Sequence, residues 1–185
     1  MAQPFFTVGH SNRTLQDFID LIASAGVCFV ADIRKMPMSR ANPQFNRDPL
    51  AEALASHGIG YEHVARLGGL RGKYWQVPFE VNALWKNRSF HNYADYALSP
   101  NFHEGLDDVL TKGDALPCTV MCSEAVWWRC HRRIVADYLI ARGRPVLHIM
   151  GEGRLDPARL TPGALVRPDA RIVYPPEAER PRDQE

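Results

Sequence analysis

The chain has 185 residues, 45% of them hydrophobic, which is enough for one substantial core and argues for one domain rather than two. Its 22 basic and 21 acidic residues leave a net charge of +1, so nothing suggests a polyanion-binding tail, although arginine clusters can still make a local basic patch. Four cysteines are too few for a disulfide scaffold of this length. The start MAQPFFTVGHS lacks a basic, apolar leader and no apolar run reaches membrane-spanning length, so a cytoplasmic protein with no membrane partner is expected.

Phe5 to Gly9 reads as a first strand. Leu15, Phe18, Ile19 and Ile22 then fall at helical spacing in a helix over Leu15–Ala25 that Gly26 ends. Val27–Ile33 is a second strand, its unbroken apolar run fitting burial on both faces. A helix over Pro49–His57 stops at Gly58, and a third strand, Tyr61–Val64, leads to the Gly68-Gly69 turn. Leu70–Asn92 is aromatic and polar and reads as a long excursion, with Trp75, Trp85 and Tyr93 packing it down or forming a lid. Helical signal returns over Tyr93–Ala97 and Phe102–Leu110. A fourth strand, Cys118–Cys122, a helix, Cys130–Arg142, and a fifth strand, Val146–Met150, follow. Asp156-Pro157, Thr161-Pro162 and Arg167-Pro168 read as turns, Arg171–Tyr174 as a short strand, and 175–185 as a disordered tail.

This alternation predicts an α/β fold over residues 1–174: a single three-layer domain with a mainly parallel central sheet of about five strands flanked by helices. In such folds ligands gather at the carboxyl ends of the strands. Applied residue by residue, that rule brings His10 and Ser11, Asp32, Arg34 and Arg40, His63 and Arg71, Cys122 and Glu124, and His148 to one edge.

The run Val120–Arg133 carries the most chemistry. A cysteine leaving a strand ahead of a helix can have its thiolate stabilised by the helix dipole and by cations such as Arg129, His131 and Arg132. The layout is like the anion-binding loops of phosphatases and sulfurtransferases. Six residues rather than five separate Cys122 from Arg129, however, and Glu124 with the paired tryptophans is wrong for a tight backbone cradle. A second reading makes Cys122, Cys130 and His131, with Glu124, ligands for zinc or iron. Adjacent on a helix, Cys130 and His131 point in different directions, so one pair rather than all four would coordinate. A third reading pairs Cys122 with Cys130 as a redox couple. Against all three stands the fact that free cysteine is among the most buried residue types.

Gly9-His10-Ser11 offers a tight turn, a base or ligand in His10 and a hydroxyl in Ser11, although Ser11, Asn12 or Thr14 also suits a helix cap. Asp32 is placed to orient a ligand or to hold Arg34 in an ion pair. Arg34 and Arg40 suit a carboxylate or phosphate, since a guanidinium forms a bidentate fork.

Taken in order, Thr7–Ser11, Asp32–Arg34 with Pro37 and Ser39, His63 with Leu67–Gly69, Tyr93–Tyr96, Cys122–Glu124, Cys130–Arg132 and His148-Ile149 resemble the family called domain of unknown function 488. The resemblance runs from Phe5 to Tyr174 and implies one α/β domain with its motifs at strand ends; it brings no established reaction with it.

The residues therefore support an enzyme for an anionic small molecule or nucleotide. In it Cys122 or His10 is reactive, Glu124 and Asp32 orient, and Ser11, Arg34, Arg40, His63, Arg71, Arg129, His131 and Arg132 bind. The alternatives are a nucleic-acid-binding or regulatory module, reading through Trp127 and Arg132, and a Cys/His/Glu metal protein.

Overall fold

Phe5–Gly9 (β1) and Cys118–Cys122 (β4) are buried at every position, and each lies between two other strands. They form the middle of the sheet in a computed structural model that describes residues 3–177. The other strands are Phe29–Asp32 (β2), Gly60–His63 (β3), Val146–Gly151 (β5) and Arg154–Pro157 (β6). Their order is β3-β2-β4-β1-β5-β6, parallel throughout except for β6, which pairs antiparallel with β5. A two-stranded ribbon, Leu165–Val166 (β7) with Ile172–Val173 (β8), stands apart from the sheet.

The parallel core of five strands is as expected, and β6 is an addition. Asp156-Pro157, expected as a turn, ends this strand instead. The physical reason is position: an edge strand can tolerate a residue that has no N–H to donate.

Helices Leu15–Ser24 (α1) and Arg47–Ser56 (α2) cover one face, packing Phe18, Ile22, Leu50 and Leu54 against Phe6, Val8, Val30 and Met121. Arg88–Tyr96 (α3), Pro100–Ala115 (α4) and Arg132–Ala141 (α5) cover the other, against Phe5, Ala31, Ile33 and Val120. The two-residue alternation of the strands sorts these sets, and each strand is apolar on both sides because both faces are covered. Thr14 caps α1, its hydroxyl accepting from the Asp17 amide at 3.1 Å, so Ser11 and Asn12 are not needed for that task.

The Leu70–Asn92 excursion is only partly irregular. A 3-10 turn spans Phe79–Asn82, and Asn87 caps α3 with its side-chain oxygen on the Ser89 and Phe90 amides. Trp85 and Tyr93 are buried as packing residues, whereas Trp75 is 80% exposed. The last helix of the sheet region starts two residues later than expected, at Arg132, and that shift matters for the site.

Gly113 on α4 faces the Phe5 ring so closely that a Cβ there would overlap it. Gly→Ala inside a helix ordinarily stabilises by about 1 kcal/mol. At this position over-packing dominates, and Gly113→Ala is expected to lower stability by about 1–3 kcal/mol, read as a lower urea midpoint with an unchanged slope.

Candidate active site at the carboxyl edge of the sheet

β1 lies between β4 and β5, and the chain leaves β1 and β4 toward opposite sides of the sheet, which opens a crevice beyond their carboxyl ends. A cleft of about 610 Å³ occupies it. His10, Arg34, Cys122, Glu124, Arg129, Cys130 and His131 line it, together with Lys35, Ser39, Gly69, Asn87, Ser89 and Tyr93, which sequence reasoning had not assigned to a site.

On the α1–α2 face the floor is an ion pair. Arg34 donates from Nε and Nη2 to the two oxygens of Asp32 at 2.9 and 2.6 Å, and from Nη2 to the Phe45 carbonyl at 2.8 Å. Its Nη1 reaches His10 Nε2 at 3.3 Å. Asp32 also accepts from the Tyr61 hydroxyl at 2.6 Å; burial and this carboxylate push the tyrosine well above its ordinary pKa. Asp32 is wholly buried, so it orients Arg34 and does not meet a ligand. Only the second Nη1 hydrogen of Arg34 is left without a protein acceptor, and Arg34 lines the cleft.

His10 donates from Nδ1 to the Ser11 carbonyl at 2.7 Å and stacks on Phe45 at 4.2 Å. Burial lowers its pKa, and the guanidinium of Arg34 acts in the same direction. Its remaining lone pair, on Nε2, is turned to Arg34 rather than to open space.

On the α3–α5 face stands the cysteine cluster. Cys122 ends β4. Cys130 and His131 precede α5: Cys130 has extended backbone (φ −126°, ψ 146°) and His131 is the cap residue. The expectation that these neighbours point apart is therefore corrected, because the divergence of adjacent side chains belongs to a helix and Cys130 is outside it. Cys130 Sγ lies 3.6 Å and Cys122 Sγ 4.0 Å from His131 Nδ1, and the three atoms lie within 4.8 Å of one another.

The tautomer of His131 follows from its other nitrogen. Nε2 is 2.9 Å from the Ile33 carbonyl, which can only accept, so Nε2 carries the proton and the Nδ1 lone pair faces the sulfurs. Hydrogen bonding from the Cys130 thiol, aided by the Glu124 amide, holds Cys122 well below the ordinary thiol range. Burial pushes Cys130 the other way.

Three contacts shape the loop between the cysteines. Arg132 is 1% exposed and donates from Nη1 and Nη2 to the carbonyls of Glu124 and Ala125. The Glu124 carbonyl in turn rests on Gly9, where any Cβ would collide with it. Past the last ladder pairing, the amides of His10 and Ser11 continue onto Cys122 and Ser123 at 2.9 and 3.0 Å. Ser11 takes a φ of 54°, an uncommon value for a residue with a side chain.

The remaining expected site residues lie outside the cleft. His63 donates from Nε2 to the Arg34 carbonyl at 2.8 Å, and Arg71 holds the Gly68 and Ala65 carbonyls while stacking on Tyr96. Both support the walls. Arg40 is exposed and away from the lining. Trp127 stacks on His148 at 4.4 Å, which leaves Trp128, 47% exposed, as the tryptophan facing solvent beside Arg129. The missed contributors, Gly69 against His131 and the Tyr93 ring 4.9 Å from it, fall in the Leu67–Gly69 and Tyr93–Tyr96 motifs, where the signal was present without a role.

Fold and site together define a doubly wound α/β domain with a Cys/Cys/His cluster in a cleft at the sheet's carboxyl edge. The chain belongs to the family described as Domain of unknown function DUF488, whose model matches residues 14–139 and so spans the cluster. It is also similar to a D-aminoacyl-tRNA deacylase of Staphylothermus marinus, 29% identical over 100 residues. That stretch is 54% of this chain and 33% of the relative, so the match spans about a third of the relative's length. No solved structure matches the chain significantly. Among the described residues no helix is long and apolar enough to cross a membrane.

Two measurements check this account. Asp32→Ala leaves Arg34 buried without its counter-charge and is expected to cost about 3–5 kcal/mol in chemical denaturation. His148 is 3% exposed, 2.6 Å from the Thr7 hydroxyl, and burial pushes its pKa down to about 4. An unfolded histidine titrates near ~6.5, so below that pH the unfolded chain takes a proton that the native ring refuses. Stability present above that pH is lost as pH falls toward 4, and His148→Gln should flatten the loss by up to roughly 3 kcal/mol.

Proposed function

We propose that this protein is an enzyme acting on a small anionic molecule, with Cys122, Cys130 and His131 as its reactive centre. The observation that carries the reading is the convergence of two sulfurs and an imidazole lone pair within 4.8 Å on the wall of a 610 Å³ cleft. A cluster serving only to pack a core has no reason to line such a space. Cations stand around it: Arg129 is exposed at the rim, Lys35 lines the cleft, and Arg34 offers its one free hydrogen from the floor. A planar guanidinium suits a carboxylate or phosphate group of the substrate. His10 and Asp32 act through Arg34, the first on its Nη1 and the second on its Nε and Nη2.

The name of the Staphylothermus marinus relative makes hydrolysis of an acyl bond the first reaction to try. Purified protein is expected to release the amino acid from D-aminoacyl-tRNA or a simpler aminoacyl ester. Cys122→Ala should lower kcat by about 100-fold or more, while Arg129→Ala chiefly raises KM. Full activity of Cys122→Ala across acyl- and phosphate-ester substrates would sink the reading. A second reading, RNA binding at the same mouth, is favoured by exposed Trp128 beside Arg129, an aromatic–cation pair of the kind that stacks and neutralises nucleotides. It predicts salt-sensitive binding of single-stranded RNA that Trp128→Ala weakens.

A further inference from the structure

The distances within the cysteine cluster are close to those of a metal coordination sphere. Around a tetrahedral zinc, with Zn–S near 2.3 Å and Zn–N near ~2.0 Å, sulfur and nitrogen ligands stand about 3.5 Å apart. The two sulfur–nitrogen separations here are 3.6 and 4.0 Å, so small side-chain rotations close the set. Both residue types favour a thiophilic ion over magnesium or calcium.

The surroundings are also those of ligands. Metal-bound histidines hold their distal N–H on a fixed acceptor, which sets tautomer and ring plane. The Ile33 carbonyl does this for His131. One sulfur meets the amide two residues further along the chain: Arg132 N donates to Cys130 Sγ at 3.4 Å. Such N–H donors offset charge on a sulfur buried away from water. Gly69 lies flat against the imidazole, and a Cβ there would stand 2.8 Å from Nδ1. The ring can keep its lone pair on the sulfurs only because position 69 has no side chain. Glu124, exposed and turned to the Val126 amide, is outside the set.

We infer that Cys122, Cys130 and His131 are the three protein ligands of a site for a thiophilic divalent metal, zinc in the first place, with its fourth position open to the cleft. Three protein ligands and an open position are the pattern of catalytic rather than structural zinc, the open place taking water or substrate. The inference rests on the reading of this cleft as the active site and names the group that would polarise the substrate there. Two thiolates and a neutral imidazole balance the charge of a divalent ion.

The test uses the reduced full-length chain, as purified and after addition of zinc or cobalt(II). One metal ion per chain is expected by elemental analysis. The cobalt form should show thiolate-to-metal charge-transfer absorption, and bound zinc should protect both Cys122 and Cys130 from iodoacetamide. Cys130→Ala and Gly69→Ala should weaken uptake about tenfold or more. Cys118→Ala, at the opposite end of β4, should leave it unchanged. Folded wild-type protein that takes up no metal, or cobalt uptake without a thiolate band, overturns the inference. Because the labelling and cobalt experiments need no variant, a variant that fails to fold does not blunt them. The two readings fail separately. Ester hydrolysis by metal-free protein that Cys122→Ala abolishes would remove the metal and keep the active site. Metal uptake without hydrolysis of any ester would keep the metal and remove the proposed reaction.

Discussion

Asp32, wholly buried at the end of β2, is a charge that cannot stand alone, and most of the site is organised around what compensates it. Two oxygens of one carboxylate take Arg34 through two of its nitrogens and the Tyr61 hydroxyl besides. The guanidinium, so fixed, reaches the Phe45 carbonyl ahead of α2 and the imidazole at the end of β1. The short stretch Asp32–Arg34 works on both faces of the sheet. Its side chains build the floor on the α1–α2 side, while the Ile33 carbonyl between them orients His131 on the α5 side. The Arg34 carbonyl takes His63 from β3. One buried ion pair thus ties the ends of three strands to the orientation of an imidazole on a distant part of the chain, and loss of either partner would leave the other charged and desolvated.

A second constraint shapes the loop after β4. Arg132 is spent on two backbone carbonyls, and Gly9 gives way so that one of them can approach β1. This loop differs in kind from a phosphate cradle. Its carbonyls of Glu124 and Ala125 turn inward to a buried guanidinium, so the segment is held by an internal cation rather than lined with amides for an external anion. What it presents to the cleft is a pair of sulfurs. That arrangement also explains why Cys130 and His131 meet at one point: the helix begins only at Arg132, and the extended residue before it folds both side chains back toward Cys122.

Much of the architecture was legible because parallel sheets covered on both faces write themselves plainly. Phe5–Gly9 and Cys118–Cys122 are mainly apolar runs, each interrupted only by a threonine, α1 has helical spacing with a threonine at its start, and strand-edge placement gathers the polar motifs. The edge strand β6 was not legible, since a strand paired on one side and exposed on the other carries little apolar signal and here contains a proline. Nor was the start of α3, whose Asn87 cap lies inside an aromatic stretch with no clean periodicity. The residues expected to bind a ligand divided by burial. Arg129 kept an exposed charge, whereas Arg132, 1% exposed, acts within the protein and Arg34, 5% exposed, keeps one Nη1 hydrogen toward the cleft.

Residue types and order alone thus established an α/β domain and its family, and they marked the stretch from Cys122 to Arg133 as the densest run of thiol, imidazole and guanidinium side chains. They did so because those properties are local: periodicity, caps and reactive side chains at strand ends. Tertiary structure decided which of those side chains share a point in space. The Nδ1 lone pair of His131 faces two sulfurs because a carbonyl 98 residues earlier in the chain claims the other nitrogen and a glycine 62 residues earlier leaves room for the ring. Contacts of that range are set by strand order and crossover, and no local pattern encodes them.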